Sequence, residues 1–348
     1  MSKIKGSLGV LAAIAIAAMT ITSGSALAAT QPTAKTKAQW RTAITRVRQP
    51  GSGCYNASFP ALQWRAVKCV AAPKVPLVPI SRSARRGAPE TVGDGTDYSA
   101  QVSGLISRAT GTFQDVSSGI TEKGQPDGSG SQTANAFSLQ LNSQFFAGSP
   151  ACSKSGDPSA CQAWQQFVYT YESRSTGLVF MQYWLINYDA TCPSGWTAFS
   201  SDCFTNSNAS TVSTVTAAEL ATVNLTGSAA SGGQDAVSLS LGSGRATSVT
   251  NSDSELDLAA FWNTAEWGVY GDGGGSEANF GSSTTLQAQT ALTATSNSAP
   301  TCVEEGFTGE TNNLKLASTP ALGSESSPTM ATRQTNGTSG TASCATAG

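Results

Sequence analysis

An all-β fold built as a two-sheet antiparallel β-sandwich, a concanavalin-like jelly roll, is the class predicted by three features of this sequence. Short runs alternate apolar and polar residues with period two, these runs are rich in β-branched and aromatic residues, and clusters of Gly, Ser, Asn and Asp separate them. Charged residues make up only 12% of the chain, which suits a secreted β-protein. Many strands with short turns fit one domain of ordinary sandwich size.

Residues 1–28 read as a signal peptide. Lys3 and Lys5 form the positive start, residues 8–21 the apolar stretch, and Ala26-Leu27-Ala28 the small-residue cleavage site. The apolar stretch is too short to span a bilayer. The expected product is secreted and extracellular, with no membrane attachment after signal cleavage. Residues 29–90 form a basic, proline-punctuated segment, read as a pro-segment and linker. Its last part, 70–90, contains the basic pair Arg85-Arg86. Residues 91–316 hold the sandwich. Its expected strands are 98–105, 136–142, 165–173, 178–188, 220–227, 236–242, 265–271 and 283–290, with a short helix at 254–262. Residues 317–348, rich in Ser, Thr and Gly, read as a weakly ordered tail.

Charge divides the chain at the same place. The first 86 residues carry 13 Lys/Arg and no acid, whereas the rest carry 7 Lys/Arg and all 22 Asp/Glu. A basic segment beside an acidic domain can pair with it and be shed, as in a zymogen. The acidic domain repels phosphate, so no nucleic-acid partner is expected. A monomer is expected. Eight cysteines in an exported chain favour disulfides, and their spacings suggest the local pairs Cys54–Cys69, Cys152–Cys161, Cys192–Cys203 and Cys302–Cys344. With no histidine and no CxxC, the sequence offers no usual zinc site, and neither a cofactor nor a metal is expected. Ser-His-Asp and Cys-His catalysis are excluded, which leaves carboxylates, Lys, Tyr or Cys for acid–base work.

The segment FWNTAEWGVYGDGGGSEANFG (261–281) sets Glu266 between Ala265 and Trp267. On a strand the carboxylate faces away from both neighbours. A carboxylate among aromatics is a candidate for a raised pKa and for general acid–base catalysis. Two weaker signals stand beside it. Glu255 and Asp257 have the spacing of one strand face, but the next same-face position is Ala259, so a second close carboxyl for glycoside hydrolysis is missing. Asp272 to Glu277 lacks the regular oxygen spacing of an EF-hand loop and reads as a hairpin turn.

Ala265-Glu266-Trp267, followed by Val269, a Gly-rich turn and Ala278-Asn279-Phe280-Gly281, resembles the catalytic-Glu region of the glutamic peptidases, the eqolisins. Residues 97–116, with Thr110-Gly111-Thr112-Phe113, are similar to that family's opening hairpin. Residues 220–241 resemble the hairpin before the Ala-Glu-Trp strand. The resemblance implies an eqolisin-like sandwich and a secreted, acid-acting endopeptidase in which Glu266 and a Gln activate water, with a protein or peptide substrate as the partner. It places Gln166 at the catalytic Gln, with Gln165 one residue off as the alternative. Gln182 falls at the second-strand acid and Asn142 at the first-strand Asp. Gln140 is a further candidate, and Trp267 flanks the Glu. The chain departs from the family pattern in Phe167-Val168 after Gln166 and in the neutral Gln182 and Asn142. The alternative function is a non-catalytic extracellular β-sandwich module that binds glycan or peptide.

Overall fold

The computed structural model describes residues 33–80, 91–323, 325–338 and 340–348. The expected signal peptide and the Arg85-Arg86 pair lie outside the described residues. After the helix Lys37–Ile44 (α1) come Gly53–Ser58 (β1), Arg65–Val67 (β2), Ser99–Gln101 (β3), Ile106–Gln114 (β4), Glu122–Gly124 (β5), Thr133–Ala134 (β6) and Phe137–Ser143 (β7). Gln162–Tyr171 (β8) and Gly177–Ile186 (β9) form a long hairpin. Thr197–Phe199 (β10), Asp202–Asn206 (β11), Ser210–Val212 (β12), Asn224–Ser228 (β13), Gln234–Ser240 (β14) and Arg245–Ser252 (β15) follow. The chain continues through Thr264–Gly271 (β16), Glu277–Phe280 (β17), Thr285–Ala294 (β18), Thr301–Val303 (β19), Thr311–Asn312 (β20), Lys315–Leu316 (β21), Thr329–Thr335 (β22) and Cys344–Ala347 (β23).

These strands build the expected β-sandwich. One sheet runs β2-β1-β15-β14-β13-β4-β18-β22-β21, with β23 on β22. The second runs β10-β11-β9-β8-β7-β16-β3-β19, with β12 on β9. A small third sheet, β20-β17-β5-β6, contains the parallel pair β17–β20. Between the large sheets lie Phe167, Tyr169, Met181 and Tyr183 from one and Leu225, Val237, Leu239 and Val249 from the other. The sheets approach closely where Trp267 covers Gly111, since a Cβ there would fall 2.0 Å from the indole. All four expected disulfides are present. Among the described residues, no helix is long and apolar enough to cross a membrane.

Residues 33–80, within the expected pro-segment and linker, pack into the sandwich: β1 pairs with β15 over six residues and extends the first sheet. Trp40, Ile44, Tyr55, Ala57 and Trp64 pack with Ala246 into a separate apolar cluster, and the Trp40 indole donates to Ala61 O at 2.6 Å. The tail is ordered too. Strand β22 pairs with seven residues of β18, and Met330 joins the main core. Threonine-rich composition suits a strand as well as a tail. The helix expected at 254–262 is two single 3-10 turns, Asp253–Glu255 and Leu258–Ala260, separated by Asp257 in the left-handed region (φ 62°).

Because the N-terminal segment shares a sheet with the rest, Trp40→Ala is expected to destabilise the whole chain. A fully buried Trp truncated to Ala costs about 3–5 kcal/mol. Thermal unfolding should show one transition at a lower Tm. A second, early transition with the main one unmoved would mean that the segment melts independently.

Candidate active site

Register decides which side chains of the second sheet share a face. Glu266 on β16 lies opposite Asn142 on β7, Asn142 opposite Gln166 on β8, Gln166 opposite Gln182 on β9, and Gln182 opposite Asn206 on β11. Directly paired residues project to the same side of a sheet. Five polar side chains therefore form one row across five strands, on the face away from the inter-sheet core. Gln140, two residues before Asn142, joins the same face.

The row is continuously hydrogen-bonded. Asn142 Nδ2 donates to Glu266 Oε2 at 2.8 Å and to Gln140 Oε1 at 3.2 Å. Gln166 Nε2 donates to Gln140 Oε1 at 3.0 Å, and the Trp184 indole donates to Gln166 Oε1 at 3.1 Å and Gln182 Oε1 at 3.0 Å. Gln182 Nε2 then donates to Asn206 Oδ1 at 2.8 Å. Glu266 Oε1 accepts the Phe307 backbone N–H at 3.0 Å. Its carboxyl is also hydrogen-bonded to Asp97, which accepts the Tyr270 hydroxyl at 3.1 Å.

Two segments cover this polar face. Residues 304–310, between β19 and β20, lie over Glu266. Across the rest runs an extended strap, residues 73–80. Prolines 73, 76 and 79 fix its φ and keep it from forming a helix. Gln182 clamps the strap like a neighbouring strand: its Oε1 accepts Leu77 N–H at 2.8 Å while its Nε2 donates to Val75 O at 3.3 Å. Asn206 Nδ2 donates to Pro73 O at 2.7 Å, and Gly274 N–H to Pro76 O at 2.8 Å. Val78 N–H donates to Glu310 Oε1 at 2.8 Å, Gly309 N–H to Val78 O at 2.7 Å, and Ile80 N–H to Phe307 O at 2.9 Å. The Leu77 side chain is buried with Val168, Leu178, Phe180 and Ala209. The two-sided cover explains why β7, β8, β9 and β16 are buried along nearly their whole length although every second residue in parts of them is polar.

Of the residues named from sequence, Glu266, Gln166, Gln182, Gln140 and Asn142 share this face. Gln165 and Trp267 do not. Gln165 points between the sheets, where its amide donates to Asp235 Oδ2 at 2.8 Å, and Trp267 donates to Thr112 O and packs on Phe113. Each is one residue from a row member, and period two sends it to the opposite face. Asp97 and Glu310 were not singled out. Asp97 is the first residue of the 97–116 stretch that resembles the family's opening hairpin, so its position was available as a signal. Glu310 is one of three acids in its loop, with Glu304 and Glu305, and nothing local marks it out. The expected charge pairing is also absent from the strap's hold. For residues 33–80, the contacts to the acidic part are hydrogen bonds and apolar packing, with no ion pair among the described residues.

Burial sets the protonation of this region. It pushes the Glu266 carboxyl up to about 7 against the opposing donors Asn142, Phe307, Thr308 and Asp97. Burial pushes Asp272 up to about 7, and burial together with Asp272 pushes Glu122 up to about 8. Burial also raises Glu310, and burial plus Asp253 raises Asp235. Such groups hold protons more tightly when folded than unfolded. Their stabilisation is complete below the ordinary carboxylate range and is lost as pH rises through about 7 to 8. The Tm should therefore be highest in mild acid and fall by several degrees toward mildly alkaline pH. A flat or rising profile in a calorimetric pH series would contradict this assignment.

Compared with protein-family models, with curated proteins and with solved structures, the chain matches none.

Proposed function

We propose that the chain is a latent, acid-acting endopeptidase whose carboxylate Glu266 and amide Gln166 activate water for peptide-bond hydrolysis. The observation that supports it most is the strap. An extended peptide lies over the Gln182–Asn206 end of the polar row, and those two side chains bond its backbone. A face that binds main-chain groups in this way suits a protein or peptide substrate better than a glycan. The resemblance of Ala265-Glu266-Trp267 to the glutamic peptidases points the same way.

In the proposed reaction the strap and residues 304–310 have moved off and a substrate strand lies in their place. Solvent then reaches Glu266, the burial that raised its pKa is relieved, and the carboxylate is available in acid. Glu266 takes a proton from water. The hydroxyl adds to the scissile carbonyl carbon, and the carbonyl electrons move to oxygen. Amide N–H groups of Gln166 and Asn142 stabilise that oxyanion. Glu266 returns its proton to the departing amine as the C–N bond breaks. In the strap-bound form the covering loop saturates Glu266 Oε1 through the Phe307 N–H, which accounts for latency. Acid alone does not loosen this hold, since the raised pKa of Glu310 favours the closed, protonated state at low pH. Release therefore falls to chain cleavage or to displacement of the strap.

The same saturation favours the second reading, a peptide-binding module without catalysis. Casein hydrolysis across the acidic range separates the two. The wild type should act after a lag, Leu77→Asp, with a charge in an apolar pocket, should act with little lag, and Leu77→Asp/Glu266→Gln should be at least about a hundredfold less active than Leu77→Asp. If all folded variants are inactive, the catalytic reading fails and peptide binding becomes the function to measure.

A further inference from the structure

Asp97 was not among the residues that the motif pointed to, yet its carboxyl meets that of Glu266 in a site closed to solvent. Both are buried. Gly306 seals them from above: a Cβ on it would lie 2.8 Å from Glu266 Oε1 and 3.4 Å from Asp97 Oδ2, so the two oxygens gather around one glycine. Two buried carboxyls in hydrogen-bond contact cannot both be ionised, so they share a proton. Their other partners decide where it resides. Glu266 receives N–H groups from Asn142, Phe307 and Thr308, three donors that favour a carboxylate. Asp97 receives the Tyr270 hydroxyl and the Gly93 backbone N–H.

We propose that Asp97 is a positioning residue for Glu266: it keeps the shared proton and donates it in a hydrogen bond to an ionised Glu266, holding that carboxylate in its basic form. The role rests on the reading of Glu266 as the general base. The pair carries one negative charge before reaction. It is doubly protonated while Glu266 holds the proton taken from water, and it returns to one charge when the amine leaves. Among the described residues, the other titratable groups near the pair include Tyr270 on the strand of Glu266, Asp94 three residues before Asp97, Tyr98 beside it, and Glu304, Glu305 and Glu310 in the covering loop. Burial, then the charge of Glu266, holds the Asp97 carboxyl far above the ordinary carboxylate range, which agrees with the geometry.

The test uses the full chain and needs no peptidase activity. Infrared difference spectra of wild type and Asp97→Asn near neutral pH should show loss of one carboxylic-acid C=O band and no loss of carboxylate. Loss of a carboxylate band instead would overturn the proposal. Should Asp97→Asn fail to fold, Glu266→Gln tests the coupling from the other side. Without its charged neighbour, Asp97 should ionise at lower pH, so its acid band should vanish earlier in an alkaline titration, and an unchanged titration would overturn the proposal. Activity gives a further readout. Asn can still donate to Glu266, so Asp97→Asn should keep the acid limb of the pH profile, whereas Asp97→Leu should move it upward by about one pH unit. Equal limbs in the two variants would also count against it. A carboxyl pair seen by infrared in a chain that never cleaves casein would refute the peptidase reading and leave the pair intact.

Discussion

A polar sheet face that is also buried is the constraint on which the rest of this structure depends. Polar groups removed from water need partners, and one left unpaired costs about 1–3 kcal/mol. Strands β7, β8, β9 and β16 present Gln, Asn and Glu on a face with no second sheet against it. The amides satisfy part of the requirement by bonding along the row. Much of the remainder is met by main-chain groups of residues 73–80 and by residues 306–308 over Glu266, while Asn142 Oδ1 is left without a partner. The strap is thus held by the same donors and acceptors that a substrate backbone would need.

This constraint couples elements distant in the chain. Residues 33–80 reach both large sheets: β1 extends the first at β15, and the strap crosses the outer face of the second. Glu310 joins the two covers. Its Oε1 accepts N–H groups from Val78 and Gly275, and its Oε2 accepts from Thr308 and Gln140. Movement of the strap therefore disturbs the loop over Glu266, and opening the loop removes an anchor of the strap.

Much of this was legible in the sequence, for physical reasons that can be stated. Period-two patterning located β7, β8, β9, β13, β14, β16 and β18 because each has an apolar side facing the inter-sheet core. The same periodicity put Glu266, Asn142, Gln166 and Gln182 on one face once the strands were registered. The segment 254–262 reads as a helix because Leu258, Phe261 and Trp262 are spaced about one helical turn apart, whereas Asp257 adopts a left-handed conformation that breaks it. The roles of Pro73–Ile80 and Glu310 were not legible, since a proline-rich stretch and one of three loop acids take their meaning from distant partners, Gln182 for the strap and Val78 and Gln140 for Glu310.

The disulfide pattern has a topological consequence. Cys54 and Cys69 close on each other inside the N-terminal segment, and the other three bridges lie wholly beyond residue 91. No covalent crosslink joins the two portions except the backbone through 81–90. A single nick there would convert the protein into a heterodimer of a short basic chain and a long acidic one. The two would be held only by non-covalent contacts such as the β-ladder, the strap and the Gln49 bonds to Ser238 and Ser248, and would migrate apart on a denaturing gel without any reductant.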